Sequence, residues 1–208
     1  AAETDDFTDA KPVVVITTPL ADVLQRVNTD SHNMYAECLL KRMGHEVTGE
    51  PGSWANGSAV IRMVLADALG HQQADSTAIS DGSGMSRDNR VRPSTLTAWM
   101  RWLSRDKARW DAFVASMAVP GEGTLRSRFG SSELNTLLAA KSGYIRGVYA
   151  LSGVLTDPDT GRRVAFSILL NDVPSGTQAR NAKPLHEQIV RELDAWLVPS
   201  RQPANLGG

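Results

Sequence analysis

Cysteine is nearly absent: Cys38 is the only one, so no intrachain disulfide can form and a disulfide-stapled scaffold is excluded. Cys38 stands among apolar neighbours in Tyr35-Ala36-Glu37-Cys38-Leu39-Leu40 and reads as a buried core thiol. No apolar run approaches the ~20 residues that span a bilayer. The N-terminus, Ala1-Ala2-Glu3-Thr4-Asp5-Asp6, has no signal-peptide pattern. It lacks Met as well, which predicts a processed chain or a fragment. An excess of either charge is also missing. Lys and Arg number 22 against 23 Asp and Glu, a net charge of −1, without the basic face that phosphate neutralisation needs. Nucleic acid is therefore not an expected partner. The four histidines, His32, His45, His71 and His186, are scattered. No His-Glu-x-x-His run and no cysteine pair occurs, so no metal site is expected, and nothing calls for a cofactor. A Gly-x-Ser-x-Gly elbow is absent too, although a Ser-His-Asp triad assembled only in space stays open.

What the chain does have is ordinary globular material, 208 residues of which 41% are hydrophobic, enough for one domain or a large piece of a bigger one. Residues 1–11 read as an arm or linker. Val13-Val14-Val15-Ile16 predicts a short strand. Thr18-Pro19 starts a helix carrying Leu20, Val23, Leu24 and Val27. After a break at Asn28-Thr29-Asp30-Ser31, a second helix is predicted from about His32 to Met43. Gly44 is its stop, Asp30 or Ser31 its cap, and Tyr35, Cys38, Leu39 and Met43 its buried stripe. Pro51-Gly52-Ser53 leads into a third helix, faced by Val60, Ile61, Val64, Leu65 and Leu69 and ended by Gly70.

Ile79 to Asn89 is a loop rich in glycine and serine that lacks the Gly-Lys-[Ser/Thr] ending of a phosphate loop. Two further helical stripes follow: Leu96, Trp99, Met100 and Leu103 after Pro93, then Trp110, Phe113, Val114 and Met117 after Asp106. Lys141-Ser142-Gly143 heads a long strand-forming run through Tyr144, Ile145, Val148, Tyr149, Leu151, Val154 and Leu155. Asp157-Pro158-Asp159-Thr160-Gly161 closes the run, and Arg163 to Leu170 returns as an antiparallel partner. Pro184 to Leu197 is an amphipathic helix with Leu185, Ile189, Leu193, Trp196 and Leu197 on one face, and residues 199–208 are a polar tail. This order is α+β, a C-terminal helix packed on an antiparallel sheet.

A lysine and a hydroxyl at the mouth of a sheet, with a glycine that admits another backbone, suit an anionic peptide end. The chain has one such triplet, Lys141-Ser142-Gly143, and one Ser-x-Asn, Ser31-His32-Asn33. Together with Ser-x-x-Lys, these two elements mark the penicillin-binding proteins and β-lactamases. Asn28 to Glu37 resembles the second-motif helix of the D-alanyl-D-alanine carboxypeptidase/endopeptidase family of low-molecular-mass penicillin-binding proteins. Asp81-Gly82-Ser83-Gly84-Met85-Ser86-Arg87 is similar to that family's Asp-Gly-Ser-Gly-Leu-Ser-Arg signature, with Met85 for Leu. Lys141 to Tyr149 resembles its Lys-Thr-Gly strand. The likeness runs from about Pro12 to Leu197.

The resemblance implies a β-lactamase/transpeptidase-like fold and a serine-type D-Ala-D-Ala carboxypeptidase or endopeptidase, acting on peptidoglycan stem peptides through an acyl-enzyme and acylated by β-lactam antibiotics. It implies an extracytoplasmic location. Ser31 would relay a proton toward the leaving amine, and Asn33 would hold the substrate amide. Lys141 would supply positive charge. Ser142 and Gly143 would receive the substrate along the strand edge, and the backbone near Tyr144 would give one arm of an oxyanion hole. Arg87 would grip the far acidic end of the stem peptide. Tyr144 departs from the Ser or Thr common at its position.

The family's nucleophile lies in a Ser-x-x-Lys N-terminal to all of this. The pattern occurs here only as Ser104-Arg105-Asp106-Lys107, which reads as a solvated turn. Residues 12–198 are therefore expected to be the C-terminal part of a penicillin-binding domain, with an N-terminal segment of the same protein carrying the nucleophile. The alternative is a non-catalytic module that binds peptidoglycan or a partner and keeps the fold.

Overall fold

In the computed structural model, the residues described are Asp9, Lys11, 13–130 and 134–199. Six α-helices precede the sheet: α1 (Leu20–Asn28), α2 (Asn33–Thr48), α3 (Trp54–Leu69), α4 (His71–Asp75), α5 (Pro93–Leu103) and α6 (Lys107–Ser116). A 3₁₀ turn, Gly123–Leu125, leads to the strands β1 (Leu137–Ile145), β2 (Val148–Thr156) and β3 (Arg163–Leu170), and α7 (Thr177–Leu197) closes the described chain. The sheet is antiparallel in the order β1-β2-β3. This is the α+β architecture expected from the sequence.

Pleating alternates side chains between the two faces of a strand, and each face has its own core. On one face Leu138, Ala140, Leu151, Leu155 and Phe166 pack with Val190 and Leu197 of α7 and with Leu125 and Phe129. On the other, Ala139 and Val154 pack with Met100, Leu103, Trp110 and Met117 from α5, α6 and the residue after them. Lys141 and Gly143 share the parity of Ala139, so they belong to the face toward α5 and α6. Ser142 and Tyr144 belong to the α7 face, where the Tyr144 and Tyr149 rings lie 5.0 Å apart.

The run read as one strand from Lys141 to Leu155 is two. Arg146-Gly147 is a two-residue turn between the paired residues Ile145 and Val148, and its second residue, Gly147, takes a positive φ of 80° that glycine adopts without strain. Strand formers on both sides hide it. Lys141 consequently sits midway along β1 rather than at its head.

Other expectations are corrected. Val13 to Ile16 is not a strand. No described residue pairs with it, its side chains are 72% to 97% exposed, and β-branched residues make a strand only against a partner. Helix α2 runs through Gly44 to Thr48, and Gly49, left-handed at φ 74°, ends it. Gly44 is there for packing. A Cβ on it would lie 2.1 Å from Asn56 Oδ1 and 2.8 Å from the Gly57 amide nitrogen of α3. The buried row of α2 is accordingly Leu40 and Gly44, one residue round from the expected stripe, and Tyr35, Cys38 and Met43 are exposed. Neither Asp30 nor Ser31 caps α2, whose N-cap is His32 without a side-chain bond. Asp30 instead accepts from Arg26 at 2.7 Å.

Helix α7 starts seven residues before Pro184, which lies inside it. Its buried row is Ala182, His186, Val190, Asp194 and Leu197, while Leu185 and Trp196 are exposed. Two polar groups in that row displaced the apolar pattern, because each is enclosed by protein rather than solvent. Asp194 accepts four hydrogen bonds at the start of β1. His186 hydrogen-bonds to no described residue, and burial, with the Arg128 guanidinium nearby, pushes its pKa down to about 4. The expected arm, residues 1–11, and the tail, 199–208, lie almost wholly outside the described residues.

Gly44→Ala offers a test of the α2–α3 contact. Helix propensity alone favours alanine by ~1 kcal/mol, but the added methyl collides with Asn56, half of the α3 capping box. Overpacking is expected to prevail, with a net loss of about 1–3 kcal/mol seen as a lower Tm on thermal unfolding. A raised Tm would mean that the helices are not in this contact.

Candidate functional site

Two walls face each other. One is the α1–α2 junction, where the chain turns so sharply that Ser31, a non-glycine residue, takes φ 59°. Left-handed backbone at such a residue is costly and persists only where its surroundings enforce it. They do so here. The Asn28 amide donates to Ser116 Oγ at 2.8 Å, Thr29 Oγ1 donates to the Ser116 carbonyl at 2.8 Å, and the Thr124 N–H donates to the Thr29 carbonyl at 3.0 Å. Gly123 fits this junction because a Cβ there would meet the Thr29 carbonyl at 2.2 Å. Asn33, first residue of α2, is exposed beside Ser31.

The other wall is β1. Its outer edge is occupied as far as Ala140, whose N–H donates to the Ala118 carbonyl at 2.9 Å. Backbone groups alternate sides along a strand. The N–H groups of Ser142 and Tyr144 therefore point the same way as that of Ala140, to an edge that no described residue covers. Ser116 and Ala118 tie the two walls together at their base, one holding the α1–α2 junction and the other β1.

Lys141 spans the gap. Its Nζ donates to Ser31 Oγ at 2.8 Å and to the Ser142 carbonyl at 2.7 Å. Burial penalises the charged ammonium and pulls its pKa down from 10.5 to about 8. Among the described residues no carboxylate bonds to it, and its ammonium points to the Ser31 wall. Behind it on the same face, Ser152 and Ser167 bond to each other at 2.9 Å. The structure thus brings Ser31 and Lys141 together, with Asn33 two residues along the chain from Ser31. Ser142 and Tyr144 contribute backbone at the edge, while their side chains alternate to the other face.

The loop of residues 79–89 closes one end. Its base is a bridge between Ala78 and Arg90. Asp81 organises the interior, accepting from the Gly84 N–H and from Asn89 Nδ2, each at 2.8 Å, and from the Ser86 N–H. Arg87 reaches across and donates to the Arg146 carbonyl in the β1–β2 turn. Sequence reasoning missed what docks this loop. Glu37 accepts from the N–H groups of Gly82 and Ser83, each at 3.0 Å, and from Trp54 Nε1 at 2.9 Å. Burial raises the Glu37 carboxyl, yet the bonds from Ser83, Gly82 and Trp54 outweigh it and hold the pKa below its ordinary value. The signal was its spacing. Glu37 stands four residues after Asn33, one turn along the same face of α2.

Ser104-Arg105-Asp106-Lys107 is elsewhere. Ser104 Oγ donates to the Arg101 carbonyl at 2.8 Å and Lys107 pairs with Asp111. Ser104 lines a cavity of about 550 Å³ with Gln73, Thr97, Arg101, Trp110 and Arg163, none of them from either wall. Among the described residues no group of three His, Cys, Asp or Glu side chains is placed to hold a metal ion.

Residues 3–194 match the D-Ala-D-Ala carboxypeptidase 3 (S13) family. The chain belongs to that family. A D-alanyl-D-alanine carboxypeptidase of Actinomadura sp. strain R39 is 33% identical over 174 residues, covering 80% of this chain and 31% of the relative. The solved structure of penicillin-binding protein 4 from Haemophilus influenzae, in complex with a β-lactam, superposes with a TM-score of 0.69 at 24% identity, over 86% of this chain and 41% of that one. A β-lactamase from Sphaerobacter thermophilus superposes at 0.61 and 16% identity, over 88% of this chain and 65% of that one. Both establish the fold. This S13 chain spans 33% and 31% of the length of the Haemophilus and Actinomadura carboxypeptidases. None of its described helices is long and apolar enough to cross a membrane.

Proposed function

We propose that this S13 chain forms one side of the active site of an extracytoplasmic, serine-type D-Ala-D-Ala carboxypeptidase that cleaves peptidoglycan stem peptides and is acylated by β-lactams. The nucleophilic serine, in a Ser-x-x-Lys motif, comes from a segment of the protein outside these 208 residues. The observation that carries this reading is the 2.8 Å contact between Lys141 Nζ and Ser31 Oγ, two groups 110 positions apart in sequence, at the start of the uncovered β1 edge.

The substrate lies along that edge as an added strand, its backbone meeting Ser142 and Gly143, where the missing side chain lets it approach. The charge of Lys141 attracts its terminal carboxylate. Asn33 holds a substrate amide. The lysine of the Ser-x-x-Lys motif takes the serine's proton as the serine oxygen attacks the scissile carbonyl, and hands it on to Ser31. The Tyr144 N–H is one donor to the tetrahedral oxyanion that forms. As the C–N bond breaks, the Ser31 hydroxyl passes a proton to the departing D-Ala nitrogen, and Lys141 beside it makes that transfer easier. Water then hydrolyses the acyl-serine. Arg87 has N–H donors left for an acidic group further along the stem peptide.

The test is labelling with a fluorescent penicillin. The intact protein is expected to form a stable adduct that survives denaturing electrophoresis, and unlabelled penicillin is expected to compete it away. A folded preparation that takes up no label would mean a module that binds without catalysing.

A further inference from the structure

The two walls of the cleft belong to separate parts of the chain. Ser31 and Asn33 sit where the α1–α2 junction enters α2, and Lys141 to Tyr144 ride on a hairpin. Ser116 and Ala118 join them at the base, and Lys141 bonds Ser31 across the gap. The open end of the cleft has a further tie, which runs through two residues whose hydrogen bonds go to neither Ser31 nor Lys141. Glu37, on α2, takes the Gly82 N–H on one oxygen and the Ser83 N–H on the other, at 3.0 Å each. Gly82 lies flush on the helix, since a Cβ there would sit 2.4 Å from the Ala36 carbonyl oxygen. The loop is stiff beyond that point because Asp81 gathers Gly84, Ser86 and Asn89 around itself. At its far side Arg87 bonds the Arg146 carbonyl in the β1–β2 turn. The other side of that turn is fixed too, by the Val173 N–H donating to the Gly147 carbonyl at 2.9 Å.

We infer that Glu37 and Arg87 act as a pair of positioning residues: the loop they anchor at its two ends is a brace that sets the separation of the Ser31–Asn33 wall from the Lys141–Tyr144 edge. The inference rests on the proposed acyl-transfer function of the cleft. Glu37 fits the task chemically. An ionised carboxylate offers acceptors only, so both backbone donors are met, whereas an amide would turn an N–H against one of them. Arg87 then matters to any acylating agent, because the brace acts on the cleft and not on the ligand.

The experiment is a double-mutant cycle on the rate of acylation by benzylpenicillin, which lacks the acidic side branch of a stem peptide. Glu37→Ala and Arg87→Ala are each expected to slow acylation about 10- to 100-fold, the scale of a misplacement near 1 Å. The double variant is expected to be no slower than the worse single one, because each change already releases the same brace. Arg87→Lys, which can still donate to the Arg146 carbonyl, is expected to recover most of the rate. Losses that multiply, or normal acylation in Arg87→Ala, would overturn the brace; the latter would leave Arg87 as a direct grip on the stem peptide. Amide hydrogen exchange gives a readout independent of activity. In Glu37→Ala, exchange is expected to rise at Arg146 to Val148, which Glu37 does not touch, while the β2 amides stay protected. No change there overturns the brace even in a protein that penicillin labels normally. Absence of labelling in the wild type would count against the proposed function alone.

Discussion

Lys141→Ala, made in the protein that carries the proposed nucleophile, is expected to lower kcat/KM for acylation by about 10²-fold or more, the scale of removing one electrostatic contact from a transition state. Three observations set that size. Lys141 is half-buried, its ammonium contacts the Ser31 hydroxyl at 2.8 Å, and no carboxylate among the described residues bonds to it. In a desolvated cleft a single cation is worth far more to a substrate carboxylate than in water. The pH dependence follows from the same burial. Lys141 loses its proton near pH 8 rather than 10.5. The charged form dominates below about 8 and is lost above it. Since kcat/KM reports groups of the free enzyme, it should fall as pH rises through about 8. Lys141→Ala should lack that limb. A wild-type profile flat to pH 10, or a variant with unchanged kcat/KM, would remove Lys141 from the chemistry.

Asp194→Ala is expected to cost about 2–5 kcal/mol of stability. Asp194 is 3% exposed. Its Oδ1 accepts from the Thr136 N–H at 2.8 Å and from Thr136 Oγ1, and its Oδ2 accepts from the Asn135 N–H and Nδ2, both at 3.0 Å. Alanine would strand the two donors of buried Thr136, at about 1–3 kcal/mol for each group left unpaired, while water can reach those of exposed Asn135. The position matters as much as the number. Thr136 is the residue before β1, so Asp194 fixes the strand that carries Lys141 onto α7. Chemical denaturation should show a lower midpoint with an unchanged m-value. An unfolding free energy within about 0.5 kcal/mol of wild type would mean that the contact does not hold β1 in place.

Much of the site was legible in the sequence because it is local chemistry. Ser31-His32-Asn33 and Lys141-Ser142-Gly143 are short patterns, and the structure places Ser31 and Lys141 in contact. The helices were legible where a cap or breaker marks them, as with Ser53 and Gly70 around α3. Apolar periodicity misled where the face of a helix is set by other forces. In α2 the buried row goes through Gly44 because α3 comes close there, and in α7 it includes His186 and Asp194. Val13 to Ile16 carries the composition of a strand without a described partner strand. The brace was hidden for a different reason. Its key contacts join side chains to backbone amides and carbonyls, at Gly82, Ser83 and Arg146, and a sequence does not print where its backbone donors point.

The central claim is that Ser31, Asn33 and Lys141 serve a nucleophile that they do not themselves provide. Its most direct test is to react the protein with benzylpenicillin, digest it, and map the acylated residue by mass spectrometry. The expected result is one acylated serine, in a Ser-x-x-Lys segment outside these 208 residues, with Ser31 and Ser104 unmodified. An adduct on Ser31, on Ser104 or on any other residue of this chain would contradict the account.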